Sequence, residues 1–246
     1  MSATDPLDAL PPATASALEA FVASTVSAFA DDLVSVTLFG SAAEGRLRTT
    51  SDVNVIIVLE RVRREALDAI TEPARLAEGL IRLSPMFVLR GEIGAAAAEF
   101  ALKFSDITNR HIVLHGEDVF ATVTVDRDEL ARRVRQVLLN LSIRLRERYV
   151  SQSLRQEQAA RVIAETAGPL RAAAAAIIEL ETGERLAPRE ALQRIARESS
   201  AETAALIDSI SAAREKGVLP PGEAPVRLFA MVQLAGSLYD RSRRLG

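Results

Sequence analysis

Two short apolar runs on either side of a Gly-Ser turn constrain the fold of this chain more than any other feature. Residues 34–39 and 53–59 are rich in β-branched side chains and have the length of buried strands. Asp52 precedes the second run, and Asn54 lies two positions further on. Because side chains alternate along a strand, Asp52 and Asn54 are predicted to project from the same face. This arrangement predicts a site that holds a metal ion beside a phosphate.

These residues resemble the motif of the nucleotidyltransferase superfamily, which includes DNA polymerase β and the aminoglycoside nucleotidyltransferases. In that motif a Gly-Ser turn is followed by a spacer and by Asp-x-Asp on the next strand, and a later strand supplies a third carboxylate. Gly40 and Ser41 match the turn and Asp52 matches the first acid, while Asn54 stands where the second acid usually is. The resemblance implies an α+β domain with a small mixed sheet, a nucleoside triphosphate substrate, and Mg²⁺ or Mn²⁺.

Further segments resemble a group of bacterial nucleotidyltransferase-domain proteins. They comprise residues 103–107, 110–111 and 114–118, and the helical half after Val125 is similar as well. In that group Asp-x-Asn on the second strand is common. The resemblance therefore implies that Asn54 is a trait of the group and not an isolated change.

Gly40 and Ser41 are the candidate nucleotide-binding residues, although a Gly-Ser pair also marks ordinary tight turns. Glycine lets a phosphate approach the backbone, and N–H groups at the start of a following helix would suit a triphosphate. Asp52 and Asn54 are the candidate metal ligands, since magnesium prefers hard oxygen donors. With Asp106 they form the predicted catalytic set. Asn54 offers only a neutral oxygen, so binding is expected to survive better than catalysis.

The source of a third carboxylate is less obvious, because the strand predicted at 81–89 contains none. Glu92 and Asp106 are the candidates, and a surface role is the alternative for each. Asp106 is preferred as a base because apolar neighbours raise the pKa of a carboxyl group. His111 and His115 have a spacing that chelates zinc on a helix, but an extended segment would hold the rings too far apart.

Composition narrows the functional classes. The chain has no cysteine, which excludes disulfides, thiolate metal sites and cysteine nucleophiles. Its 48% apolar and 26% charged residues are typical of a soluble globular protein. With no apolar stretch of 18 residues and no signal-like segment, the cytoplasm is the expected location and no membrane span is expected. The formal net charge of -3 argues against nucleic acid as a partner.

Charge is nevertheless uneven along the chain. Residues 127–161 hold nine arginines against four acidic residues, a local net charge of +5. These arginines fit a solvated or intramolecular helix face, an acceptor-binding surface or a phosphate clamp. Few aromatic residues accompany them, which argues against stacking on single-stranded nucleic acid.

Hydrophobic periodicity outlines the first half of the chain. It predicts helices at 13–30 and 61–78 and, besides the two strands above, strands at 81–89 and 121–125. Pro85 favours either an edge position for the strand that contains it or a break in that strand. Residues 100–114 match neither the helical nor the strand periodicity.

The sequence pattern becomes helical from Asp126 onward. Asp126 and Glu129 have the spacing of a helix-capping pair. Four or five helices are predicted beyond it. The predicted breaks are Gly168-Pro169, Gly183, Pro188 and Pro220-Pro221. We therefore predict a nucleotidyltransferase-like domain at 1–125 and a helical bundle domain at 126–246 that closes the cleft of the first.

Three functions remain open at this point. The first is transfer of a nucleotidyl group to a hydroxyl of a small-molecule or protein acceptor. The second is a catalytically degenerate nucleotide-binding or protein-interaction module, suggested by Asn54 and the missing third acid. The third is a helical regulator whose first domain only dimerises it, so an oligomer is compatible with the sequence.

Overall fold

The chain forms two compact units, Met1–Val125 and Asp126–Gly246. The structure is a computed structural model that describes residue 7 and residues 9–47, 51–199 and 201–245, the last range without the side chains of residues 201 and 202. The first unit combines a small sheet with helices, and the described part of the second consists of helices and the loops that join them. The expected fold class, a small mixed sheet followed by an all-α region, is confirmed.

The sheet of the first unit has four described strands. They are β1 (Leu33–Phe39), β2 (Val53–Leu59), β3 (Leu83–Leu89) and β4 (His111–Gly116). Their order is β3-β2-β1-β4, with β1 antiparallel to both β2 and β4 and β3 parallel to β2. The sheet is therefore mixed. Pro85 lies on β3, an edge strand of the described sheet, as predicted.

Both faces of the sheet are covered, which explains why β2 reads as a nearly continuous apolar run. Val55 and Ile57 face one buried cluster, which also contains residues of the helices α1 (Pro12–Phe29) and α2 (Arg64–Ile81). Ile56 and Val58 face a second cluster, which contains residues of α3 (Ile93–Glu99) and α4 (Ala101–Asn109). By strand alternation, Asn54 points to the face of this second cluster.

The segment Pro12–Asp32 is long and apolar enough to cross a membrane by length and composition, a test that core helices and signal sequences also pass. In the structure it contributes Leu18, Phe21 and Phe29 to the first cluster, and each of these side chains is almost fully buried. Only 22% of its apolar window is buried, so core packing accounts for part of its apolar character.

One expectation for the end of the first unit needs correction, and one segment that the sequence left unassigned can now be described. Residues 121–125 do not form a strand but turn and irregular structure, and the last strand is β4. The segment 100–114, which matched neither the helical nor the strand period, contains the helix α4 and the first residues of the strand β4. A helix of nine residues followed at once by a short strand gives no single period to read.

The second unit begins at Asp126, whose side chain accepts hydrogen bonds from the N–H groups of Asp128 and Glu129, as the capping pattern predicted. Its described helices are α5 (Arg127–Gln152), α6 (Gln156–Thr182), α7 (Pro188–Ser199), α8 (Ala201–Lys216) and α9 (Glu223–Ser242). Five helices agree with the prediction for this part of the chain.

The predicted break at Gly168-Pro169 is wrong, because α6 continues through both residues. The helix is packed along its length, with Ala167 and Leu170 on either side of the pair fully buried. Tertiary packing here outweighs the cost of a proline in a helix interior. Gly183, by contrast, ends α6 with a φ of 73°, as expected for a helix C-terminus.

Candidate functional site

The turn that follows β1 is fixed by its backbone. Gly40 has a φ of 77°, a conformation that glycine adopts without strain, and its N–H donates to the carbonyl of Arg110 at 3.1 Å. The turn closes through bonds from the Gly45 N–H to Ala42 O and from the Arg46 N–H to Ser41 O. No helix starts in residues 40–47, so the expectation that a helix dipole contributes here is wrong.

The turn nevertheless presents donors. Within the described part of the chain, the backbone N–H groups of residues 41–44 donate to no acceptor, whereas those of Gly40, Gly45 and Arg46 are engaged inside the protein. Consecutive N–H groups in a turn form a concave surface that suits an anion. A phosphate-binding role for this segment would therefore rest on the turn itself and not on a helix N-terminus.

Asp52 lies immediately before β2, and its carboxylate accepts from Arg82 at 2.9 Å. The pairing follows from the sheet, since Val53 and Leu83 are partners in the parallel β2–β3 ladder and the two charged residues precede them. Both side chains are more than half exposed, at 51% and 59%. An exposed pair of this kind contributes only about 0–1 kcal/mol, so a competing cation can displace Arg82.

Asn54 directs its amide nitrogen to the carbonyl of Asp52 at 3.3 Å. This contact leaves the side-chain oxygen of Asn54 as the acceptor available to a ligand. The sequence-predicted pair thus projects from one strand end, with a carboxylate and a carboxamide in neighbouring positions.

Gly40, Asn54 and Asp106 meet at one point of the structure. A Cβ placed on Gly40 would lie 3.8 Å from Asn54 Nδ2 and 3.9 Å from Asp106 Oδ2. The three residues come from the turn, from β2 and from α4, which the sequence separates by up to 66 positions. The small size of Gly40 keeps this space open.

Arg110 joins the turn to α4. Its Nε donates to Asp106 Oδ1 at 2.8 Å, its Nη2 donates to the same oxygen, and its Nη1 donates to Glu44 at 2.7 Å. The three side chains are mostly enclosed, with exposed fractions of 14% for Arg110, 24% for Glu44 and 29% for Asp106. Because its carbonyl also accepts from Gly40, Arg110 positions the turn through both backbone and side chain.

Asp106 keeps one oxygen for other partners. Oδ1 is held by Arg110, whereas Oδ2, the atom near Gly40, accepts no hydrogen bond from any residue that the structure describes. Burial raises the pKa of this carboxyl above its ordinary value, even though Arg110 opposes the change. A carboxylate of raised pKa with an open oxygen can accept a proton or a cation.

The other candidate for a third carboxylate lies elsewhere. Glu92 follows the far end of β3, where Leu89 pairs with Leu59, and it accepts from the Leu89 N–H at 2.9 Å. At the near end of β3, Ser84 is the residue paired with Asn54. The neighbouring strand therefore supplies a hydroxyl and not an acid at this position.

Within the described ranges, no group of three or more histidine or acidic side chains could hold a metal ion. His111 and His115 both lie on β4, and the His111 ring contacts Ile107 O and Asp118 through its two nitrogens. Because β4 is extended, residues four apart along it are separated by about 13 Å, which is too far for the two rings to share one ion. Any cation here must be held by Asp52, Asn54 or Asp106 with few protein ligands.

Most of the basic segment of the second unit is engaged within that unit. Arg132 pairs with Glu129, Arg148 and Arg161 pair with Glu165, and other members bond to side-chain or backbone oxygens. These others are Arg127 with Leu180 O, Arg133 with Gln136 and Arg135 with Leu245 O. The intramolecular reading describes them best.

The sequence pointed to Gly40, Asn54 and Asp106, which lie together in the structure, and to Asp52, but not to the arginines that contact these acids. The spacing of Asp106 and Arg110 by four on a helix end was a usable signal for an ion pair. Arg82 could not be found this way, because its contact with Asp52 spans thirty positions and depends on strand register.

The mixed sheet and the helical region after it together form a fold that is also found among solved structures. No family model and no curated protein sequence matches it. Among solved structures, it is similar to spectinomycin adenyltransferase AAD(9) from Enterococcus faecialis, determined with ATP and spectinomycin. The TM-score is 0.66 with 11% sequence identity, over 93% of this chain and 98% of the other. At that identity the likeness establishes the fold.

Proposed function

We propose that the first unit binds a nucleoside triphosphate together with Mg²⁺ or Mn²⁺. The observation that carries the proposal is the convergence of Gly40, Asn54 and Asp106 on one open point beside a turn with available N–H donors. Backbone N–H groups bind phosphate oxygens, and the glycine leaves room for a phosphate to approach. That the similar adenyltransferase was solved with ATP supports a nucleotide as the ligand.

Asp52 and Asn54 fit a cation that arrives with the nucleotide. Magnesium in such sites takes one or two protein oxygens and completes its shell with water and phosphate oxygens. Asp52 supplies the charge after release from Arg82, and Asn54 supplies a neutral oxygen. When bound, the cation would supply charge neutralisation for the triphosphate.

Nucleotide-induced thermal stabilisation tests this proposal. A ligand that binds the folded state raises the melting temperature, and ATP with Mg²⁺ is expected to do so here. Asp52→Asn should lose the Mg²⁺-dependent part of that stabilisation. Asp68→Asn is the matched control, because Asp68 is also an exposed acid paired with an arginine but lies on α2 away from the turn. No stabilisation by any of the four nucleoside triphosphates, with either metal, would refute the proposal.

A second function, transfer of the nucleotidyl group to a hydroxyl acceptor, is favoured by Asp106. Its Oδ2 is open and burial raises its pKa above the ordinary value, which makes the carboxylate a better base for the proton of an attacking hydroxyl. The acceptor is a small molecule or a protein side chain. Binding without transfer is the competing reading, motivated by Asn54 and by Ser84 opposite it.

Pyrophosphate release separates transfer from binding alone. With a productive acceptor, Asn54→Asp is expected to raise the release rate by supplying a second anionic ligand, and Asp106→Asn is expected to abolish it. If the wild type and Asn54→Asp both bind ATP but release no pyrophosphate with any acceptor tried, the site is a binding site only.

A further inference from the structure

A cavity of about 330 Å³ lies beside the edge strand of the first unit. Its walls come from β3, α3 and α4, and its volume is in the range of small-molecule sites. Gly40, Ser41, Asp52, Asn54 and Asp106 do not line it. It is a separate feature from the candidate nucleotide site.

The floor of this cavity is apolar and firmly held. Val88 and Phe104 line it and belong to the second buried cluster of the sheet, with exposed fractions of 7% and 1%. Met86 also lines it and packs against the same cluster. A floor made of core residues exists before any ligand arrives, so a ligand does not have to create it.

Phe100 places an aromatic ring at the rim. It is the junction residue between α3 and α4, and its N–H donates to Ala96 O at 2.9 Å, which fixes its backbone. Its side chain is 54% exposed, an unusual fraction for a phenylalanine on a fixed backbone. A ligand in the cavity would remove part of this ring from water.

The charged groups at the cavity are acids. Glu92 and Glu99 are the two charged residues among those that line it, and no basic side chain is among them. Glu92 accepts from the Leu89 N–H through Oε2, which leaves Oε1 available. Glu99 forms no ion pair with any residue the structure describes. Two carboxylates over an apolar floor create a negative potential that repels nucleotides and attracts cations.

We propose that this cavity binds a small organic cation, an ammonium group carried on an aromatic or branched hydrocarbon. The hydrocarbon lies on Met86, Val88 and Phe104, and the ammonium group lies between the two glutamates and the face of Phe100. Attraction of a cation to an aromatic face and to nearby carboxylates favours this class over neutral or anionic ligands of the same shape.

The methionines offer a direct readout in the full chain. Met86 lines the cavity, and Met231 is fully buried in the second unit and serves as an internal control. With methyl-¹³C methionine, titration of benzyltrimethylammonium is expected to shift the Met86 signal in a saturable way and to leave Met231 unchanged. For a ligand of this size, a dissociation constant of about 1 mM or tighter is expected.

A pair of ligands with the same shape tests whether the positive charge of the ligand contributes to binding. Choline and 3,3-dimethylbutan-1-ol have the same shape but differ in charge, and choline is expected to bind at least about threefold more tightly. Equal binding of the two, an unchanged Met86 signal, or equal shifts of Met86 and Met231 would each overturn the proposal. No nucleotide is present, so the outcome does not depend on the proposed nucleotide site.

Matched variants isolate the residues. Glu99→Gln and Phe100→Ala are each expected to weaken benzyltrimethylammonium binding by about threefold or more. The controls are Glu78→Gln and Leu80→Ala, which alter an exposed acid and an exposed apolar side chain on α2 and should change nothing. Circular dichroism spectra and thermal melts that match those of the wild type show that each variant is folded. If Glu99→Gln and Phe100→Ala bind as the wild type does, the assignment is wrong.

Discussion

Substitution of Gly40 by alanine tests the centre of the candidate site without dismantling it. The added Cβ would lie 3.8 Å from Asn54 Nδ2 and 3.9 Å from Asp106 Oδ2, which are ordinary contact distances. The fold is therefore expected to survive. The methyl group would nevertheless occupy the space where these residues meet, so a phosphate could no longer approach the backbone.

The energetic cost has two separable parts. At a φ of 77° an alanine is strained by roughly 1–2 kcal/mol, which lowers the melting temperature of a chain of this size by roughly 2–8 °C. The nucleotide contribution is independent of this strain. At a concentration of one hundred times Kd a ligand adds about 2.7 kcal/mol, or roughly 5–10 °C, and Gly40→Ala should lose most of that gain.

Gly183→Ala provides the matched control. Gly183 has nearly the same φ, 73°, and a Cβ there would meet nothing within 4 Å. Thermal melts with and without ATP and Mg²⁺ should show a similar loss for both variants without nucleotide, and a nucleotide-dependent gain for Gly183→Ala alone. If Gly40→Ala keeps the full nucleotide-dependent gain, the point where Gly40, Asn54 and Asp106 meet is not where the nucleotide binds.

Three further predictions concern stability. A Cβ on Gly116 would lie 2.0 Å from Val34 O, and the φ of Gly116 is 81°. Gly116→Ala should therefore destabilise the first unit by roughly 3 kcal/mol or more in denaturant titrations. A loss of stability below about 1 kcal/mol would contradict the predicted clash. Asp126→Ala should cost about 1 kcal/mol by the same method, because the cap of α5 is lost, while Asp126→Asn should retain most of the stability. For Asp106 the raised pKa means that its contribution to folding is greatest at low pH and is lost as the pH rises above the ordinary value of 3.8. The free energy of unfolding of the wild type relative to Asp106→Asn should therefore fall across that range, and a rise would show that Arg110 outweighs burial.

The strands that form the site were predictable because they are buried on both faces. A strand covered on both sides must be apolar at nearly every position, so β1 and β2 appear as short apolar runs of the right length. The polar residues at their ends then stand out. Asp52 and Asn54 became the candidate ligands for this reason, and the cap at Asp126 was predicted correctly because its chemistry is local.

The missed elements depend on long-range contacts. The strand β4 is only partly buried and follows α4 after one residue, so neither the alternation nor the length of its apolar run distinguishes it. Residues 121–125 alternate better but have no strand beside them. At Gly168-Pro169 the local signal favours a break, and the buried surface of α6 overrides it. The strand ends could be predicted from local sequence, whereas the secondary structure of these segments depends on tertiary packing.

The two arginines that pair with acids of the candidate site differ in burial, and this difference favours the proposal of nucleotide binding over that of transfer. Arg110 is enclosed with Asp106 and Glu44, so breaking that trio would leave partly buried charges unpaired, which is costly. Arg82 and Asp52 are exposed, so their separation costs at most about 1 kcal/mol. Of these acids, only Asp52 can therefore readily leave its arginine partner and bind a metal ion instead. A site with one exchangeable acid suits the single cation that accompanies a nucleotide, and a second cation would depend on the one open oxygen of Asp106.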